Sequence, residues 1–213
     1  MASFADNILS LPIRFVNEKL GLSPNQLSTI GFIIGSLAAL VVASGHLVDG
    51  LALLALSQVV DGLDGGVARR YNLQSPKGQM LEVLFDRLNE LSIFLALAYI
   101  GEATTFMALM AFVAILLVTI VEPFSKFDPG FKRFMIYFGY VAMAVFHVRG
   151  IQIAMHVIFW ANLIGFVAGT IMVDYRLQQE IDAQAMIRRD RERLLGIPQP
   201  PDDPPSFLSK LFS

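Results

Sequence analysis

Four carboxylates stand at regular spacing in one short stretch of the chain: Asp61, Asp64, Glu82 and Asp86. From Asp61 to Asp86 it reads D-G-L-D-G-G-V-A-R-R-Y-N-L-Q-S-P-K-G-Q-M-L-E-V-L-F-D. Carboxylate oxygens are hard ligands that suit Mg²⁺ or Mn²⁺. The chain has no cysteine, so no His–Cys cluster competes for zinc. A dense acid cluster can hold two such ions, and paired ions stabilise the attacking and leaving oxygens of a displacement at phosphorus. Small residues accompany the acids. Gly65, Gly66 and Ala68 let a ligand or backbone approach closely, and Arg69 stands at the rim, its planar fork suited to a phosphate.

The elements that must carry these groups are membrane helices. Of 213 residues, 55% are hydrophobic and only 16% charged, with mean hydropathy +0.60. A soluble domain of this length carries more charge. Apolar residues fall in blocks of about twenty, the length that crosses a bilayer core. The expected fold is an all-α integral membrane protein with six transmembrane helices, at about residues 26–44, 48–69, 76–100, 104–121, 131–148 and 151–173. Very short joints near Gly45, Gly101 and Gly150 suit helical hairpins. Before the membrane domain (26–173), residues 1–25 hold an interfacial amphipathic helix, with Phe4, Ile8, Leu11 and Phe15 at helical spacing, and a turn at Ser23-Pro24-Asn25. The first twenty residues mix Asp6, Arg14, Glu18 and Lys19 with apolar residues and lack the compact core of a cleavable signal. Ser75-Pro76 reads as a helix start, serine capping and proline in the first turn.

After Asp174 the chain turns polar. Residues 174–213 are expected to form a cytoplasmic charged helix, with Arg188, Arg189, Arg191 and Arg193 near anionic headgroups, then a stiff proline-rich tail from Pro198 to Pro205. The terminal Phe207, Leu208, Leu211 and Phe212 suit a membrane or subunit contact as well as a frayed end. Lysine and arginine set the orientation. One side holds Arg14, Lys19, Arg69, Arg70, Lys77, Lys126, Lys132, Arg133, Arg176 and the later cluster, the other only Arg149. That asymmetry puts both termini and the acids on the cytoplasmic side, of the inner membrane if the source is bacterial. The net charge of −2 gives no support to a nucleic-acid partner.

Helical geometry brings the acids together. Asp61 and Asp86 lie equally far from the ends of the second and third spans, roughly 12 Å deep. Asp64 and Glu82 share a shallower level. Asp61, Asp64, Gly65 and Ala68 lie on one helical face; Gly78, Glu82, Asp86 and Glu90 lie on another. If this hairpin packs face to face, the acids converge. Salt bridges to Arg69, Arg70 and Arg87 are the structural alternative, but they leave the glycines unexplained.

The segment closely resembles the signature of the CDP-alcohol phosphotransferase family, D-x2-D-G-x2-A-R-x8-G-x3-D-x3-D. Asp61, Asp64, Gly65, Ala68, Arg69, Gly78 and Asp86 meet it, and Glu82 stands where the family has aspartate. The interfacial helix, the six spans and the lead Pro24-Asn25-Gln26-Leu27-Ser28 are also similar to that family. The resemblance implies that a CDP-linked lipid, such as CDP-diacylglycerol, passes its phosphatidyl group to an acceptor hydroxyl and releases CMP. By position, Asp61, Asp64 and Glu82 would hold the ions, with Asp86 a shared ligand or the general base. Gly65, Ala68 and Gly78 would line the nucleotide pocket, and Arg69 would meet a phosphate. A shifted register, with Asp86 as ligand and Glu90 as the deeper acid, keeps the family spacing less well.

Several signals are weaker. Lys132 and Arg133, with Lys126, are candidates to bind a phosphorylated acceptor or the lipid phosphate; positive-inside bias accounts for them equally. Asn25 and Ser28 suit a nucleotide contact or a helix cap. Gly31-x3-Gly35 and Gly165-x3-Gly169 read as helix-contact motifs. A homodimer is expected from the resemblance alone. The acceptor, polar or lipid, is not legible; the Arg-Ala-rich run of relatives using glycerol phosphate or inositol phosphate is absent near Glu122-Pro123. Rival readings are a transferase using a soluble CDP-alcohol donor, a cation transporter, and a relative that binds a CDP-lipid without turnover. Glu82→Asp, which restores the family residue, is expected to keep or raise CMP release; loss of metal binding in that variant would show that glutamate is specifically required.

Overall fold

Ser23 and Ser75 each precede a proline, and each opens a long helix. The computed structural model of the protein describes residues 10–130 and 132–195, and among them there is no strand. Its elements are α1 (Ser10–Arg14), a π-helical turn (Phe15–Lys19), α2 (Pro24–Ala43), α3 (Leu47–Arg70), α4 (Pro76–Tyr99), α5 (Thr105–Ser125), α6 (Lys132–Phe146) and α7 (Gly150–Leu194). At α2 a capping box closes: the Gln26 N–H donates to Ser23 Oγ at 3.4 Å, and the Ser23 N–H donates to Gln26 Oε1 at 2.9 Å. At α4 the Gly78 N–H donates to Ser75 Oγ at 3.0 Å. Both helices begin at the proline, so the expected turn at residues 23–25 is already the first turn of α2.

Among the described residues, four helices are long and apolar enough to cross a membrane: α2, α3, α5 and α7. The other two of the six expected spans, α4 and α6, also carry site candidates, as α3 does. Helix α4 carries Glu82, Asp86, Arg87 and Glu90 within its length. Helix α6 has 15 residues, about 22 Å at the α-helical rise and short of a hydrocarbon core. Helix α5 runs a turn beyond its expected end, past Pro123, and stops where Lys126 turns left-handed (φ 57°) and its N–H donates to Glu122 O at 2.7 Å. The sixth expected span and the charged helix expected from residue 174 are one continuous element: α7 is a helix of 45 residues. Residues 174–194 are rich in Arg, Gln, Glu, Ala and Leu, with no glycine or proline to stop the helix.

The apolar core lies away from the acids. Ala38, Val42, Leu54, Phe94, Leu97, Ala111, Ile115, Ile136, Met155 and Ile158 bring α2 to α7 together there. Gly45 (φ 90°) and Gly101 (φ 82°) make the tight joints at that end, in a region only glycine adopts freely. The short joint expected near Gly150 is residues 147–149, and Gly150 itself starts α7, pressed against the Gly139 backbone of α6. Around this core many large apolar side chains face outward, including Leu40, Leu56, Phe106, Ile120, Trp160 and Ile171. A lipid-facing surface explains such exposure; an aqueous one does not.

A smaller cluster at the other end packs Ile13 of α1 against Leu27, Leu63 and Val67. Ile13 is buried, and Phe15, expected on the membrane-facing apolar side, is 58% exposed. The expected Phe4, Ile8 and Phe131, and the tail from Pro198, lie outside the described residues. The Tyr71 hydroxyl donates to Glu18 Oε1 at 2.8 Å, tying the π turn to the end of α3 and raising the phenol's pKa.

Glycines set how closely the first two long helices approach. A Cβ on Gly50 would meet the Val42 side chain, Ala38 O at 3.0 Å and Val42 N at 3.0 Å, and backbone cannot yield. Gly50→Leu is therefore expected to open the α2–α3 hairpin and cost about 1–3 kcal/mol, read as a lower thermal midpoint of the purified protein in detergent. An unchanged midpoint would contradict this packing.

Candidate active site

Helix α2 lies between the two acid-bearing helices. Helices α3 and α4 each pack along α2 rather than chiefly on each other, so the acids do not meet through a simple face-to-face hairpin. They face one another across the buried small side of α2. A Cβ on Gly31 would strike the Asp61 carboxylate, and one on Gly35 would strike the Asn89 amide. The expected Gly31-x3-Gly35 contact motif is thus the floor beneath the site. Phe32 and Phe85 stack with ring centroids 4.5 Å apart and fix α2 against α4 beside that floor. The second glycine pair also serves contacts inside the chain: Gly165 meets Pro129 and Phe127, and Gly169 meets Val121 and Ser125.

The carboxylates sit within electrostatic reach of one another: Asp61 with Asp64 and Asp86, and Glu82 with Asp61, Asp64 and Asp86. Asp64 is 3% exposed. Ser28 Oγ donates to its Oδ2 at 2.5 Å, which orients the carboxylate, while its Oδ1 is buried with no hydrogen-bond partner. Pro24 O, 3.1 Å from Ser28 Oγ, is the alternative acceptor for that single O–H, so Ser28 faces both the acid and the helix start.

Two clefts flank the cluster. The first, about 140 Å³, is lined by Asn25, Ser28, Asp64, Gly65, Ala68, Arg69, Gly78 and Glu82 among others. Its glycines are needed: a Cβ on Gly65 would come to 3.1 Å from the Arg69 guanidinium, and one on Gly78 to 2.9 Å from Asn25 Oδ1. The second, about 330 Å³, is lined by Gln58, Asp86, Arg87, Glu90, Asp128, Lys132 and Arg133. Asp61 borders neither and stands between them.

Arg133 is the feature that spacing alone did not reveal. Its Nη1 donates to Asp61 Oδ2 at 2.9 Å, its Nη2 to Asp86 Oδ1, and its Nε lies 4.0 Å from Glu90 Oε1. Arg87, a candidate salt-bridge partner, instead donates to Glu90 at 2.6 Å. Glu90, the deeper acid of the shifted register, is buried between these two guanidiniums. Lys132 is buried and pairs with Asp128 at 3.1 Å. The one available signal for Arg133 was its membrane-proximal position after a glycine-containing loop.

A divalent ion suits the donor set: oxygen ligands only, an unpartnered Asp64 Oδ1, and more carboxylates than nearby guanidiniums. Among the described residues, no three acids or histidines are already gathered as a ligand shell. An ion shared by Asp61 and Asp86 would compete with Arg133 for their oxygens.

Residues 21–175 match the family model for CDP-alcohol phosphatidyltransferase. The chain belongs to the CDP-alcohol phosphatidyltransferase family. It is 36% identical over 94 residues to the bifunctional IPC transferase and DIPP synthase of Rubrobacter xylanophilus, covering 44% of this chain and 21% of that protein. It is 32% identical over 112 residues to the archaetidylinositol phosphate synthase of Methanothermobacter thermautotrophicus, covering 51% and 57%. The chain thus spans less than two thirds of the length of these relatives. Its fold is similar to that of phosphatidylinositol phosphate synthase (PgsA1) of Mycobacterium tuberculosis. The apo form matches with a TM-score of 0.65 at 19% identity over 76% of this chain and 94% of that one. The form with CDP-DAG bound matches with a TM-score of 0.65 at 17% identity over 81% and 94%. A third structure of that protein contains manganese and citrate.

For this member of the family the α2 floor makes a sharp test. Gly31→Ala displaces a flexible carboxylate rather than backbone, so the fold is expected to survive. Mn²⁺ affinity, measured by electron paramagnetic resonance titration, should fall about 10- to 100-fold. Unchanged affinity would separate Asp61 from the metal.

Proposed function

We propose that the protein is a membrane phosphatidyltransferase that moves the phosphatidyl group of a CDP-linked lipid, such as CDP-diacylglycerol, to an acceptor hydroxyl and releases CMP. The observation that carries this reading is the pair of clefts that flank the acids. One cleft presents Asp64, Glu82, the signature's small residues and Arg69; the other presents Asp86 with cations and hydrogen-bond acceptors. Two substrates of different chemistry can therefore approach the carboxylate cluster from two sides. A relative named as a phosphatidylinositol phosphate synthase has CDP-DAG bound in one structure and manganese in another, which supports both the donor class and the metal.

In this reading Asp61, Asp64, Glu82 and Asp86 hold Mg²⁺ or Mn²⁺, two ions in all. The ions supply electrostatic stabilisation of charge at the transferred phosphorus. Ser28 fixes the Asp64 carboxylate for that task. Gly65, Ala68 and Gly78 let the nucleotide lie against backbone, and Arg69 meets a phosphate. Asp86 lines the second cleft, where the acceptor would lie, so it is the group in position to take the hydroxyl proton. The acceptor oxygen forms a bond to the phosphatidyl phosphorus, the bond to CMP breaks, and the proton goes to Asp86. Lys132 and Arg133 line the acceptor side. We place the site and both termini on the cytoplasmic face, on the charge asymmetry of the loops. A homodimer is part of the proposal, on family resemblance.

The test is CMP release by the purified protein with CDP-diacylglycerol, Mn²⁺ and a panel of acceptors, inositol phosphate among them. Chelation of divalent ions should abolish release, and re-addition should restore it. Asp86→Asn is expected to keep nucleotide binding and lose about 10²- to 10⁴-fold in turnover. Undiminished release from that variant would remove Asp86 as the base.

A further inference from the structure

The end of the bundle away from the acids holds one cation. Between Lys19 and Arg69, between Arg87 and Lys126, and between Arg133 and Arg176, the only lysine or arginine is Arg149. It is exposed and stands in the joint between α6 and α7. The Thr104 N–H at the start of α5 donates to Gln152 Oε1 at 2.8 Å, so the first turn of α7 is level with the tight joint at Gly101. Arg149 therefore lies at the membrane surface opposite the carboxylates. It makes no ion pair among the described residues.

A groove of about 210 Å³ begins beneath it. Phe138, Gly139 and Ala142 of α6 form one side, and Gly150, Ile153 and Val157 of α7 the other. The helices touch backbone to backbone where Gly139 meets Gly150, while Phe138, Ile153 and Val157 stand exposed on the rim. No lining residue has a polar side chain. The Ile153 N–H donates to Arg149 O at 3.0 Å, so Arg149 leads straight into α7. Arg149, Ile153 and Val157 recur every four residues and share one side of that helix. The cation thus heads the groove that the two apolar side chains line.

An apolar groove in lipid with a guanidinium at its mouth matches the two halves of a phospholipid, an acyl chain and a phosphate. A second copy of this chain matches it poorly. Neither α6 nor α7 before Asp174 carries an acid. A twofold contact through this face sets the same patch against itself. The two guanidiniums would then meet with no carboxylate from either helix between them, a like-charge contact that disfavours the pairing. The lipid donor of the transfer reaction is not the occupant either. Its acids meet Arg133 at the other end of α6, about 20 Å away along the helix.

We propose that this groove is a second lipid site, holding one chain of an anionic glycerophospholipid from the leaflet opposite the acids, with the lipid phosphate on Arg149. The site is separate from the transfer reaction and does not depend on it.

Trp160 gives a direct readout. It is the only tryptophan of the chain, continues the same side of α7 beyond Val157, and is 55% exposed. The full-length protein is reconstituted in phosphatidylcholine with a small share of phosphatidylglycerol. One lipid or the other carries bromines along its chains, which quench tryptophan fluorescence on contact. The apparent association constant at Trp160 should be about fivefold higher for phosphatidylglycerol than for phosphatidylcholine. Arg149→Gln should bring the two constants together. Ala142→Phe, which fills the groove from the α6 side, should lower quenching by phosphatidylglycerol to the phosphatidylcholine level. Equal constants in the unsubstituted protein would overturn the proposal, as would a preference that survives either substitution. Both variants should release CMP at the unsubstituted rate; a loss in step with the lost quenching would make the groove part of the donor's path and end its claim to be a second site. Light scattering in detergent completes the test: a dimer that Ala142→Phe dissociates would assign the groove to a second copy instead.

Discussion

Carboxylates crowded together inside a helical membrane domain repel one another and lose hydration, so they are tolerable only beside cations. That constraint organises one whole end of this molecule. Asp61, Asp64, Glu82 and Asp86 come from two helices, and the chain brings Arg133 from a third to stand between two of them. Removing one partner of such a buried set is far costlier than the net worth of the pair. The ion pairs that make these acids tolerable are therefore also part of what holds the helices in register.

Helix α6 shows this coupling directly. It packs mainly along α7, and it is too short to span a bilayer core alone. Its links to the acid-bearing helices are polar: Arg133 with Asp61 and Asp86, and Gln58 Nε2 donating to the Tyr137 hydroxyl at 3.3 Å. Apolar contacts between helices in lipid gain little from the hydrophobic effect. Polar clasps and close small-residue packing carry more of the specificity. Gly31, Gly35 and Gly50 on α2 and α3, and Gly139 against Gly150, are the packing half of that division.

The parts legible in the sequence were those set by local rules. Serine before proline marked the start of α4 because the cap bond forms within three residues; the same pair at Ser23-Pro24, read as a turn, starts α2 in the same way. The phase of Asp61, Asp64 and Gly65 on one helix and of Gly78, Glu82 and Asp86 on another followed from helical spacing. What was not legible depended on helices distant in sequence. Arg133 lies 72 residues from Asp61, and nothing local distinguishes it from a lysine or arginine placed by orientation alone. The role of Gly31 as the floor under Asp61 required knowing that α2 intervenes between α3 and α4. The continuity of α7 past Asp174 was hidden for another reason: a change from apolar to charged composition resembles a boundary, although no glycine or proline interrupts the chain from there to Leu194.

Of the two acid-bearing helices, α4 is the less suited to lipid. Charged groups at the centre of a membrane helix cost on the order of 2.5–3.5 kcal/mol each on insertion scales, and α4 carries four such groups along one stretch. It keeps its place through contact with α2 and α5, through the Phe32–Phe85 stack, and through the apolar anchors Ile93, Phe94 and Leu97 near its far end. The division is along the helix axis: one half secures α4 in the bundle, and the other half is freed to present carboxylates toward two clefts. A helix built this way cannot be made uniformly apolar without losing the acids, nor more polar without losing its anchor. The mixed character that keeps α4 from reading as a membrane span is the physical signature of the site it carries.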